Sequence, residues 1–299
     1  MPKISFAALL MGVALLSLAM SGCGRSVAAG PAPQTEVALD IRENLLSGSS
    51  GGGATADAKS TGTGWGTLRG KFKFTGTPPS PSPLKVDKDT EVCGREGQLM
   101  DNSLVVNSDG GLANVVIYAR AKRVHDSAKP TEGDVEPVVF DQKNCMFLSH
   151  VVALQVGQPL EIKNSDPIGH NTKIDPRKGV PFNQTLAVNQ AVPYVPTAEE
   201  ALPADVSCSI HPWMRAYMLP RKDKYFAVTK PDGTFEIPNL PAGEDVEFQV
   251  WHERGTGPGK ALVLDRKDLK WTGKGRFKIK LDQDQTTDLE VEVPASALN

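Results

Sequence analysis

From Thr67 onward the chain is cut into short apolar runs, each closed by a turn signal, and this pattern restricts the fold to sheets. TLRGKFKFTG (67–76) alternates with period two, SLVVN and ANVVIYAR straddle a DGG turn, and HVVALQVG and PLEIKN flank another glycine-containing turn. YFAVT, TFEI, VEFQVWHE, KALVLD, GRFKIKL and TDLEVEV continue the series, separated by PDG, NLPAG and GTGPGK. Only TAEEAL (197–202) reads as helix, and it is short. Many short strands spaced by turns predict an all-β protein built as a sandwich or a pair of sandwiches. The expected division is a larger unit over 63–224 and a smaller β-sandwich over 225–299, with the 67–76 strand free to join either.

The N-terminus is of another kind. MPKISFAALLMGVALLSLAMSGC places Lys3 ahead of an apolar run from Ile4 to Met20, the layout of an export signal over residues 1–23. A membrane helix is the alternative, since the run is near the lower length limit for a span. Met20-Ser21-Gly22-Cys23 resembles the bacterial lipobox, which implies cleavage before Cys23, lipid on that cysteine, and a membrane-anchored lipoprotein facing the periplasm or the cell surface. Residues 24–62, rich in Gly, Ser, Ala and Thr, hold too few apolar side chains to offset the entropy of ordering. A flexible coil of about 40 residues reaches roughly 30–40 Å, so this stretch is expected to tether a globular head. The formal charge is −2 with both signs well mixed, which excludes the basic face a nucleic-acid partner needs.

An exported chain meets an oxidising compartment, where thiols are paired or otherwise employed. There are four cysteines. With Cys23 assigned to lipid, Cys93 and Cys145, both beside turn-forming residues at strand ends, are expected to form a disulfide. The alternative pairs Cys208 with one of them. If Cys208 is left over, a metal–thiolate bond explains its survival.

Cys208 lies in DVSCSIHPWMRAYM, which puts a thiol, an imidazole and a thioether within seven residues: Cys208, His211 and Met214. Thiolate is soft and favours Cu(I), imidazole suits both copper states, and a weak axial thioether tunes the potential, so two His, one Cys and a distant Met are the donor set of a blue copper centre. The second His must come from elsewhere, among His125, His150, His170 and His252. EIKNSDPIGHN, with His170 and Asn171, followed by CSIHPWM, resembles the cupredoxins, and the Cys-x2-His-x2-Met spacing is similar to the amicyanin loop. The resemblance spans roughly residues 145–220. It implies a cupredoxin-like Greek-key β-sandwich, His170, Cys208 and His211 as equatorial copper ligands, Met214 as the axial one, and Asn171 knitting the two ligand loops together. It also implies that His211 presents an exposed edge in an apolar patch, near which protein redox partners dock. Ile210 stands where the amicyanin loop carries Pro.

More broadly, the chain looks like a group of large secreted bacterial proteins labelled methylamine-utilisation-like, and its C-terminal part resembles prealbumin-like or carboxypeptidase-regulatory sandwiches. The expected function is that of an exported type 1 (blue) copper protein, a one-electron carrier and not an enzyme. The five His include no His-x-His pair of the kind multicopper enzymes use, and no hydrolase motif or P-loop occurs. The rival readings are a cell-surface binding or structural module and a copper carrier. His150 and His252 are expected to be structural, His125 a surface residue, and Trp213 either part of the apolar patch or simply packed on the next strand.

Overall fold

The structure, a computed structural model, describes residues 64–299 apart from 132 and 134. The expected signal and tether, with Cys23, therefore lie outside the described residues. The chain begins with β1 (Trp65–Thr75), a four-residue helix α1 (Thr90–Cys93), β2 (Val116–Arg120), β3 (Val138–Lys143), β4 (Met146–Phe147) and β5 (Val151–Gln155). It continues with β6 (Leu160–Asn164), β7 (His170–Asp175), β8 (Phe182–Leu186), β9 (Ala191–Tyr194), β10 (Ala204–Ser207) and β11 (Arg215–Arg221). The last strands are β12 (Phe226–Val228), β13 (Thr234–Pro241), β14 (Asp245–Trp251), β15 (Arg276–Lys280) and β16 (Thr286–Pro294). The protein is all-β, as its turn-punctuated sequence predicts.

Among the described residues, four sheets form around two cores. The sheets β5-β11-β10-β7-β8 and β4-β3-β6-β9 enclose Phe140, Leu154, Leu160, Ile162, Val206 and Met218. The sheets β13-β1-β16 and β12-β2-β14-β15 enclose Leu68, Phe72, Ile117, Phe248, Phe277 and Val291. Strand pairing crosses the boundary expected at 224/225. β2 comes from the first expected unit, and β1 from the stretch left free to join either, and both supply strands to the sandwich that also holds β12–β16. β1 runs antiparallel to β13, with Lys71 opposite Thr234, and parallel to β16, with Phe72 opposite Val291. Without β1 the three-stranded sheet has no centre.

The continuous apolar run VVIYA is explained by a seam. Val115, Ile117 and Ala119 point into one core, while Val116 and Tyr118, on the opposite face of β2, meet Trp251 of β14, Val151 of β5, and Tyr217 and Leu219 of β11 in a third cluster. A strand buried on both faces has no solvent side on which to place polar residues. Tyr217 and Trp251 meet edge to face with ring centroids 4.9 Å apart, and the Tyr118 hydroxyl donates to the Ala201 carbonyl at 2.6 Å.

TAEEAL is not a helix. Its backbone turns to β11 instead: the Glu200 N–H donates to the Pro220 carbonyl at 3.1 Å, and the Arg221 guanidinium donates to the Glu200 carbonyl at 2.8 Å and pairs with Glu199 at 2.7 Å. These tertiary bonds override a weak local preference. The turn before β13 requires glycine at 233, where φ is +81° and an added Cβ would lie 2.3 Å from the Phe72 carbonyl oxygen.

Because Phe72 is fully buried at the middle of β1 and packs against Phe235, Phe72→Ala should cost about 3–5 kcal/mol. A denaturant titration should show the matching fall in midpoint.

Candidate metal centre

Strand pairing brings the separated donors together. β10 and β11 are an antiparallel pair that closes with Ser207 opposite Arg215, so residues 208–214 form its loop. β7 lies antiparallel on the other side of β10, with Lys173 opposite Ser207, which sets the first residue of β7, His170, at the same end of the sheet. The loop is tight: the Met214 N–H donates to the His211 carbonyl at 2.9 Å, and the Cys208 N–H to the Met214 carbonyl at 3.2 Å.

The His170 and His211 Nδ1 atoms are 2.9 Å apart, and Cys208 Sγ lies 3.9 Å from His211 Nδ1. One donor atom from each of the three residues falls within 4.8 Å of the others, and all three side chains are buried. Met214 is fully buried beside them in the same core. First-row ions hold imidazole nitrogen at about 2.0–2.1 Å, so a single ion can span both Nδ1 atoms. A second grouping, Cys145 with Asp166 and His170, is not an alternative, because Cys145 is disulfide-bonded to Cys93. Among the described residues Cys208 is the free cysteine.

The other ring nitrogens face carboxylates. His170 Nε2 is 2.7 Å from Asp166 Oδ2, and His211 Nε2 is 2.7 Å from Asp89 Oδ2. An ionised carboxylate only accepts, so each Nε2 carries the proton and each Nδ1 is turned into the site. This is the arrangement in which metal-binding imidazoles are held and made more basic. Asp166 also accepts the N–H groups of Asn144 at 2.6 Å and Cys145 at 2.8 Å. Burial works to raise its pKa, but these bonds and that from His170 hold it below the usual carboxylate range.

The sulfur is likewise prepared. Cys208 Sγ accepts the N–H groups of Asn171 at 3.3 Å and His211 at 3.4 Å. Burial opposes ionisation of the thiol, but the His170 hydrogen bond and the surrounding amides outweigh it and lower the Cys208 pKa. For His170 burial disfavours the charge, yet Asp166 and Cys208 win and raise its pKa to about 9. Burial, helped by the charge of His170, overcomes Asp89 and lowers the pKa of His211. His170 Nδ1 thus faces both His211 Nδ1 and the Cys208 sulfur.

Asn171 ties the start of β7 to the 208–214 loop by accepting the Ser209 N–H at 3.1 Å, and it donates to Asn183 at 2.9 Å. The Trp213 indole donates to the Cys145 carbonyl at 3.0 Å and lies 5.1 Å from the His211 ring. The exposed edge expected for His211 is absent: its side chain is 0% exposed, because Asp89, from a segment far upstream, covers Nε2. Asp166 lies within the quoted NSDPIGH stretch, and its position four residues before His170 was the available signal; Asp89 has no local signal.

The remaining histidines stand apart. His150 Nε2 bonds to Glu253, and its ring meets Tyr217 edge to face. His252 is fully buried, and burial, with the charge of His150, lowers its pKa to about 3. His125 accepts the Ser127 N–H at 3.1 Å beside the Trp65 ring.

The sequence matches no protein-family profile and no curated protein. Among solved structures it is similar to a copper-containing nitrite reductase from Thermus scotoductus SA-01, 19% identical over 31% of this chain and 25% of that one, with a TM-score of 0.28. This chain thus spans about a quarter of the length of that reductase. It is also similar to amicyanin from Paracoccus versutus, 19% identical over 35% of this chain and 97% of that one at a TM-score of 0.25. A third likeness is to a purple cupredoxin from Nitrosopumilus maritimus, 19% identical over 28% of this chain and 98% of that one at a TM-score of 0.24.

A metal that takes His170 Nδ1 must displace a proton. The affinity of the metal-free protein for Co(II) is therefore expected to climb by roughly tenfold per pH unit from neutral pH and to level off above the His170 pKa of about 9. Competitive titration should also show the plateau arriving at lower pH in Asp166→Asn.

Proposed function

We propose that this chain is an exported type 1 copper protein of the cupredoxin kind that carries single electrons between protein partners, held to a membrane by lipid on Cys23. The observation that carries the reading is the convergence of His170 Nδ1, His211 Nδ1 and the free Cys208 sulfur inside one buried loop cluster. Two imidazoles, a thiolate and a thioether from Met214 suit copper better than zinc, whose sites favour nitrogen and thiolate donors without thioether. Copper bound there supplies a one-electron couple.

The residues of the chain do the rest. Asp89 and Asp166 hold the two imidazoles, the Asn171 and His211 amides hold the sulfur, and the β10–β11 pairing holds the loop. Ligands locked in this way move little when the charge of the centre changes, which is what fast electron exchange requires. Burial keeps water from the donors and favours the less charged Cu(I) state. The buried edge of His211 shifts the proposed docking area to the outer side of its loop, where Ser209 and Pro212 are exposed and Trp213 is half-buried.

Addition of Cu(II) to the purified protein should produce the intense visible band of a copper–thiolate bond with a narrow parallel hyperfine splitting, and Cys208→Ser should abolish the band. A colourless protein that binds copper loosely would instead mark a carrier.

A further inference from the structure

We propose that residues 84–99 are a built-in cap over the metal centre and that Asp89 is the positioning residue through which the cap fixes His211. What His211 binds rests on the copper reading above; the cap itself rests on contacts between residues of the chain.

The segment is a loop pinched at its base. The Leu84 N–H donates to the Leu99 carbonyl at 2.8 Å and the Asp101 N–H to the Ser82 carbonyl at 2.8 Å, while the Gln98 side chain donates to the Leu84 carbonyl at 2.7 Å. Within it, the hydrogen bonds of α1 close locally: Val92 and Cys93 donate to the Asp89 carbonyl, and Gly94 to that of Thr90. The cap is therefore not an extension of either neighbouring sheet. It meets the sandwich through side chains: Val86, Val92 and Leu99 pack on the core, Glu96 accepts from Asn144 at 2.7 Å, Cys93 is bonded to Cys145, and Asp89 accepts from His211 at 2.7 Å.

Asp89 has φ of 48°. The left-handed region is costly for most L residues and tolerated by Asn and Asp, and of those two only Asp offers the ring N–H a charged acceptor. The Cys93 N–H holds the Asp89 carbonyl at 2.8 Å. At the other end of the disulfide, the Cys145 N–H holds Asp166, and the Cys145 carbonyl holds Trp213. One cross-link thus frames the carboxylate supports of both imidazoles. With the edge of His211 closed, the neighbouring half-exposed ring of Trp213 is the way out for an electron.

The test treats the full-length, metal-free protein with diethyl pyrocarbonate and maps modification by peptide mass, using half-buried His125 as the internal reference. His211 should be protected in the native protein, and about tenfold more reactive in Asp89→Ala, the order expected for loss of a charge-assisted hydrogen bond. It should be near native in Asp89→Asn, which keeps an acceptor oxygen and tolerates the backbone angle. After Cu(II) loading, both variants should show a higher reduction potential than the native protein, because a less basic imidazole favours Cu(I), with the larger change in Asp89→Ala. Cys93→Ala combined with Cys145→Ala should also expose His211. Native His211 reacting as fast as His125, or Asp89→Ala leaving reactivity and potential both unchanged, would overturn the cap. Failure of the native protein to take up copper, with the protection pattern intact, would remove the copper reading and leave the cap standing.

Discussion

Everything in the candidate metal centre depends on where two protons sit. His170 and His211 each give an Nε2 proton to a carboxylate, so both Nδ1 atoms are turned toward each other inside the buried cluster that holds Cys208. A buried imidazole free to flip would offer the wrong nitrogen half the time and leave the other unpaired, at a cost of about 1–3 kcal/mol for each unsatisfied group. The carboxylates need holding in turn. Asp166 is itself buried and takes three donors, two of them backbone amides beside the disulfide, whereas Asp89 remains half-exposed. The two imidazoles are thus secured unequally, one from inside the sandwich and one from outside it.

The sheet accounts for the distances. A hairpin loop places Cys208, His211 and Met214 within one turn of chain, and the neighbouring antiparallel strand delivers His170 to the same edge. The backbone amides of Asn171 and His211 then both address the sulfur. A thiolate in a buried place needs such donors, since burial alone would keep it protonated. His170 and the sulfur favour each other's charged forms, which raises the pKa of the imidazole and lowers that of the thiol.

Much of this was legible in the sequence, and the rest was hidden for physical reasons. The strands could be read because alternation and turns are local, and the loop donors because they lie within seven residues of chain. His170 came from a resemblance. Asp89 could not be read, because it lies 122 residues from the ring it supports. The same distance explains why His211 was expected at the surface: nothing near it in the chain announces what covers it. The partner of β1 was equally hidden, since a strand carries no label for a mate more than 200 residues away. TAEEAL misled because its residues would suit a helix, but Arg221 and the backbone of β11 claim its carbonyl and amide.

The aromatic seam between the sandwiches changes what counts as a module. Tyr118 and Trp251 on one side, and Tyr217 and Leu219 on the other, make a hydrophobic joint rather than a linker. Tyr217 stands only three residues beyond Met214, so the joint abuts the strand that follows the 208–214 loop. Cutting the chain into two separately expressed halves would leave each with a sticky aromatic face, and would loosen the floor on which the donor loop rests. The second sandwich is better seen as a buttress than as a passenger.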